Sequence, residues 1–174
     1  MEYMRRKLET DIARWASSAR MQPLLMQGAR RVGKTVLAER MGEECFVNGF
    51  VKLDFQTDLS RAQAIFDWPT DDVDGIVRRI SEYKGMPIVP EKTLVILDEV
   101  QLCEQALNAL RFFEGTHWRV LATGSLLGVT TKRRSLPFPS GVRQLELHPL
   151  DFEEYLWALD EGAMARDIRM HAET

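Results

Sequence analysis

Eight consecutive residues, Gly28, Ala29, Arg30, Arg31, Val32, Gly33, Lys34 and Thr35, constrain the fold of this chain more than any other stretch. They satisfy the spacing G-x-x-x-x-G-K-[ST] in full, and a chance match in a chain of this length has a probability of roughly 1% or less. The spacing has a mechanical meaning. Glycines let the backbone wrap tightly and approach a ligand, so that successive N–H groups converge at the start of a helix, where the dipole favours negative charge. A lysine placed there reaches β- and γ-phosphates, and the following hydroxyl is a magnesium ligand. Such a loop works only between a strand and a helix, and both are foreseen. Pro23 opens the apolar run Leu24, Leu25, Met26, and Thr35 to Met41 reads as a helix with Gly42 as its stop. The positions expected to hold the nucleotide are Gly28, Ala29, Arg30, Arg31, Val32, Gly33, Lys34, Thr35 and Val36. Arg30 and Arg31 read first as solvated loop-tip charges, with a direct catalytic role as the alternative.

A second element completes the chemistry. Leu94 to Leu97 is a continuous apolar run with β-branched members, which suits a strand covered on both faces, and Asp98 and Glu99 follow at its carboxyl end. Alone, a strand ending in two acids reads as a solvated strand terminus. Downstream of a phosphate loop, Asp98 is expected to hold magnesium and Glu99 to orient or deprotonate an attacking water. Thr123, Gly124 and Ser125 end a further apolar strand, where ligands of open parallel sheets collect. A hydroxyl there either senses the γ-phosphate or caps a turn before Leu126.

The remaining patterns alternate strand and helix. Leu8, Ile12, Trp15, Ala16 and Ala19 form the stripe of an amphipathic helix, with Arg5, Arg6, Lys7 and Arg14 off that stripe. Strands are expected at 50–55, 118–123 and 142–147, and helices at 71–83, ended by Gly85, and at about 104–114. Asp151 and Glu154 have capping-box spacing, before a stripe of Phe152, Tyr155, Leu156 and Leu159. The whole predicts an α/β fold of the P-loop NTPase type: an open, mostly parallel five-stranded sheet with helices on both faces and the phosphate-loop strand central. The division expected is an N-terminal helix over 1–22, a core over 23–150, and a C-terminal helix over 151–174 that begins a lid or further domain.

Composition excludes more than it selects. No apolar run approaches the length of a membrane span, and the basic start lacks a secretion signal. Cys45 and Cys103 make neither a disulfide framework nor a metal spacing, and His117, His148 and His171 are scattered, so a reducing cytoplasm is the expected home. The net charge of -3 gives no global attraction for nucleic acid, although Lys132, Arg133 and Arg134 make a local basic triplet.

The segments PLLMQGARRVGKT, KTLVILDEVQLC, VLATGSLLG and GVRQLELHPLDFEEYL together resemble the AAA-superfamily ATPases of bacteria and archaea whose chains usually carry a C-terminal domain of uncharacterised, nuclease-like character. The resemblance covers nearly the whole chain. It implies ATP and magnesium as cofactors, Lys34 and Thr35 in the phosphate and magnesium roles, Asp98 and Glu99 as the second acidic motif, and Thr123 or Ser125 as sensor. It also implies an arginine supplied by self-association, by a C-terminal domain or by a protein partner; Arg133, Arg134 and Arg143 are the candidates. Trp157, off the terminal stripe, reads as surface covered by such a domain. Two other readings compete: a small-molecule phosphotransferase, in which Glu99 accepts a proton from a substrate hydroxyl, and a nucleotide-gated module whose basic triplet contacts nucleic acid. A GTPase is disfavoured, since no N-K-x-D segment occurs.

Overall fold

A computed structural model describes residues 3–125 and 140–172 of the chain. Its elements run α1 (Leu8–Ser17), β1 (Leu24–Gly28), α2 (Lys34–Cys45), β2 (Phe50–Asp54), α3 (Leu59–Phe66), α4 (Val73–Lys84), β3 (Leu94–Asp98), α5 (Glu104–Ala109), β4 (Arg119–Ser125), β5 (Arg143–Glu146), α6 (Phe152–Ala158) and α7 (Gly162–Ala172). The strands form one parallel sheet in the order β2-β3-β4-β1-β5. The phosphate-loop strand β1 is therefore interior, held between β4 and β5. No helix of the described residues is long and apolar enough to cross a membrane.

The interior strands β3, β4 and β1 alternate their side chains between two cores, as the pleat requires, whereas the edge strand β5 exposes Gln144 and Glu146. One face of the sheet buries Leu24, Met26, Leu94, Ile96 and Leu121 with Ile12 and Trp15 of α1 and Leu37, Ala38 and Met41 of α2. The other buries Leu25, Leu53, Val95, Leu97, Val120 and Ala122 under α3, α4 and α5. Because all pairings are parallel, every strand delivers its carboxyl end to the same edge. Continuing the alternation on the α2 side places Gly28, Asp98, Thr123 and Ser125 at that edge.

Several elements differ from the sequence reading. Helix α2 does not stop at Gly42 but runs on to Cys45, with Gly42 buried. Its glycine serves close packing: an added Cβ would lie 2.8 Å from Phe50 Cβ on β2. Gly42→Val is therefore expected to cost about 1–3 kcal/mol by overpacking, lowering the thermal midpoint by roughly 2–4 °C per kcal/mol in a chain of this size. An unchanged midpoint in a melting experiment would contradict this packing. The helix expected over 104–114 is split into α5 and a 3₁₀ turn, Leu110–Phe113, before Gly115 at φ 74°. Helix α3 was not foreseen, although Ala62, Ile65 and Phe66 are buried at helical spacing. By contrast α4 has the expected stop, Gly85 in the left-handed region at φ 63°.

The single C-terminal helix expected over 151–174 is instead two helices, α6 and α7, and α6 departs from expectation in its packing as well. Its capping box is present, Glu154 N–H donating to Asp151 and Asp151 N–H to Glu154. Of the predicted stripe, however, only Leu156 is buried, whereas Phe152, Tyr155 and Leu159 are at least half exposed. The helix is fixed by Leu156 and by the buried polar Glu154, not by a continuous apolar face. Trp157, expected at the surface, is half-buried with the Arg5 guanidinium 5.2 Å above its ring.

Candidate functional site

The phosphate loop connects β1 to α2. Arg31 at φ 65° and Gly33 at φ 97° both occupy the left-handed region, which curves the backbone into a concave nest of N–H groups. Gly33 is the residue immediately before α2, where glycine carries the positive φ without steric cost. Gly28 meets a different demand: a Cβ there would come within 2.3 Å of the Leu147 carbonyl oxygen. Ala29, Arg30, Arg31 and Val36 are exposed around the loop.

Lys34 is buried, at 4% exposure. Its Nζ donates to the carbonyls of Gly28 at 3.1 Å and Ala29 at 2.7 Å, and to Ser125 Oγ at 3.3 Å. Burial lowers its pKa, against the pull of the neighbouring Glu99 and Asp98 carboxylates. The ammonium is thus a desolvated charge whose hydrogen-bond partners among the described residues are neutral oxygens, an arrangement that favours an anionic ligand beside it.

Asp98 ends β3 and accepts two hydroxyl hydrogen bonds, from Thr35 Oγ1 at 2.8 Å and Thr123 Oγ1 at 2.6 Å. Burial raises its pKa; the two hydroxyls oppose that shift, and the nearby Asp54 and Glu99 charges add to it. Thr35 and Asp98 together present hard oxygen donors side by side, the donor chemistry magnesium takes when phosphates and water complete its shell. Among the described residues no group of three or more His, Cys, Asp and Glu side chains is placed to hold a metal alone.

Glu99 adopts a left-handed backbone at φ 58°, uncommon for a residue with a side chain. Its N–H donates to Thr123 Oγ1 at 3.0 Å. Its carboxylate accepts from Ser125 Oγ at 3.0 Å and from Gln101 Nε2 at 2.5 Å, and Ser125 N–H donates in turn to Gln101 Oε1 at 3.3 Å. This geometry separates two hydroxyls that the sequence left equivalent. Thr123 is fully buried, with its proton on Asp98 and a lone pair on the Glu99 amide, so it orients both acids. Ser125 lies between the Lys34 ammonium and the Glu99 carboxylate.

Not every expected residue arrives. Arg143 opens β5 and pairs with Leu24, at the edge of the sheet opposite the phosphate loop, so it does not reach the site of its own chain. Lys132, Arg133 and Arg134 lie outside the described residues. Two residues were missed. Gln101 holds Glu99, and the only hint was its place two positions after that acid. Arg6, read as a solvent-facing charge, is buried and donates from Nη1 to the Val32 carbonyl of the loop at 2.8 Å.

A parallel α/β sheet whose interior strand enters a phosphate loop, with paired acids on a nearby strand, defines a P-loop NTPase fold. The family described as AAA domain matches residues 20–156, well over half of the sequence, and the chain belongs to that family. At family level it is a nucleotide-binding ATPase domain. No curated protein matches the sequence. Among solved structures, the structure of Drosophila ORC bound to DNA contains a chain that superposes with a TM-score of 0.47 and 13% identity, over 79% of this chain and 40% of that one. The chain therefore spans two-fifths of the length of that relative.

Proposed function

We propose that this chain binds ATP with magnesium and hydrolyses it. The observation that carries the reading is the convergence of Lys34, Thr35, Asp98, Glu99, Thr123 and Ser125, from α2 and from the ends of β3 and β4, into one hydrogen-bond network connected through Thr123. In this reading the N–H groups of residues 29–35 receive the phosphates, with Lys34 on the β- and γ-phosphates. Thr35 and Asp98 would hold magnesium, which would supply positive charge beside the phosphate oxygens. Glu99 takes the proton of the attacking water, and Ser125 connects that base to Lys34. Residues 23–150 make up the ATPase core, and residues from 151 onward begin the region through which nucleotide state is passed to a partner.

Asp98→Asn tests the magnesium assignment through two opposite effects. A carboxyl whose folded pKa is raised binds more protons folded than unfolded, so its contribution to stability falls as pH rises from the ordinary aspartate range through the folded value. At neutral pH the ionised form is therefore a net cost to folding. An amide removes that cost, and its oxygen still accepts from Thr35 and Thr123, both of which reach Oδ1. Asp98→Asn is expected to melt higher than the natural chain without ligand, yet to lose the difference in ATP affinity between magnesium and EDTA buffers. If ATP affinity in the natural chain were indifferent to EDTA, the magnesium role would fall; absence of ATP binding would remove the whole reading.

A further inference from the structure

Arg6 precedes α1 and touches three parts of the chain at once. Nη1 donates to the Val32 carbonyl at 2.8 Å, Nη2 donates to the His148 carbonyl, and Nε stands 3.3 Å from Glu154 Oε1 on α6, in ion-pair contact without hydrogen-bond alignment. Both charges are buried, Arg6 at 7% and Glu154 at 5% exposure. Glu154 is itself fully engaged, Oε1 accepting the Lys7 N–H at 2.8 Å and Oε2 the Asp151 N–H at 3.1 Å.

We propose that Arg6 is a positioning residue that couples the phosphate loop to α6. In a planar trans peptide the carbonyl of one residue and the N–H of the next point in opposite directions. Fixing the Val32 carbonyl on Arg6 therefore fixes the direction of the Gly33 N–H, away from Arg6, and Gly33 is the hinge between loop and α2. A charged donor on that carbonyl also polarises the peptide and strengthens its N–H as a donor. The planar guanidinium makes these contacts from one rigid fork, so a displacement of α6 is felt at the loop peptide and a rearrangement of the loop is felt at α6. Glu154 thus acts on the nucleotide through Arg6 without touching the loop.

The coupling rests on the reading of Gly28–Thr35 as a nucleotide site, and the experiment separates the two. Mg-ATP is titrated calorimetrically into the natural chain, Arg6→Lys, Glu154→Gln and the double variant, with melting followed in parallel. Arg6→Lys keeps the charge but loses the fork, and Glu154→Gln keeps the shape of α6. Each single variant is expected to weaken Mg-ATP binding about tenfold, the scale of one charge-assisted contact. The double variant should also lose only about tenfold, not the roughly hundredfold product of two independent losses, because both substitutions break the same link. In the natural chain, saturating Mg-ATP should slow amide exchange across residues 152–158, and Arg6→Lys should abolish that protection. Lower melting temperatures with unchanged Mg-ATP affinity in both single variants would reduce the pair to a structural contact and overturn the coupling. So would exchange at 152–158 that is indifferent to bound Mg-ATP in the natural chain, a measurement that needs no variant. Failure of the natural chain to bind Mg-ATP would instead overturn the nucleotide reading, and the coupling with it.

Discussion

Lys34→Ala is expected to weaken Mg-ATP binding by about 100-fold or more while leaving the fold intact. The factor follows from removing a charge-assisted contact in a desolvated site, worth roughly 1.5–3 kcal/mol and more where water is excluded. The fold should survive because burial already works against the Lys34 ammonium, lowering its pKa, so the side chain is retained at a cost to stability. Of its three oxygen partners, the Ala29 carbonyl belongs to an exposed residue and the Ser125 hydroxyl keeps its bond to Glu99. Calorimetric titration against the natural chain, with melting as the control for folding, measures both quantities. Near-natural affinity in a well-folded Lys34→Ala protein would remove Gly28–Thr35 as the phosphate site.

Glu99→Gln should separate binding from chemistry. Its side chain keeps the size of glutamate and one acceptor oxygen for Ser125 and Gln101, so Mg-ATP affinity is expected to stay within a few-fold of the natural value. Phosphate release at saturating nucleotide should fall by about 100- to 10,000-fold, the range for loss of a general base. The left-handed backbone at Glu99 sharpens the expectation, because strained geometry is retained where surrounding contacts enforce it. Here the Thr123 hydroxyl holds its amide, and Ser125 and Gln101 hold its carboxylate. Undiminished turnover in Glu99→Gln would strip Glu99 of the base role and leave it as a support for Ser125.

The parts of this site that the sequence made legible are those whose chemistry is local in the chain. The phosphate loop and the strand ending in Asp98 and Glu99 each announce themselves within ten residues, and their order along the chain foretells the parallel sheet. Parallel pairing carries a further signal that the reading did not use. A residue that opens a strand, as Arg143 opens β5, must lie at the edge opposite the loops. Thr123 and Ser125 share a face of β4 and are both buried; they differ in their hydrogen-bond partners, Asp98 and the Glu99 amide against Lys34 and the Glu99 carboxylate, which no local pattern reports. Gly42 looked like a helix stop because glycine has two uses, and only the close approach of Phe50 selects between them. Arg6 was hidden more deeply. It is buried by a carbonyl 142 positions away in the sequence and by the carboxylate of Glu154, and amphipathic periodicity sorts residues only within one helix.

The strand order has a consequence for how the protein is made. Strand β1 leaves the ribosome before β2 and β3, yet its neighbours in the sheet are β4 and β5, which follow both. Until Arg119–Ser125 has been synthesised, both edges of β1 lack their final partners, and one edge still does until Arg143–Glu146 follows; its apolar residues Leu24, Leu25 and Met26 meanwhile lack a completed core. Contacts of such long sequence separation slow folding, because the loop they close must be ordered before they repay it. Gly28 extends the dependence to the phosphate loop itself, since its backbone is packed against Leu147. A nascent chain therefore carries the whole binding motif well before it owns a binding site, and an unpaired apolar strand is exposed in the interval.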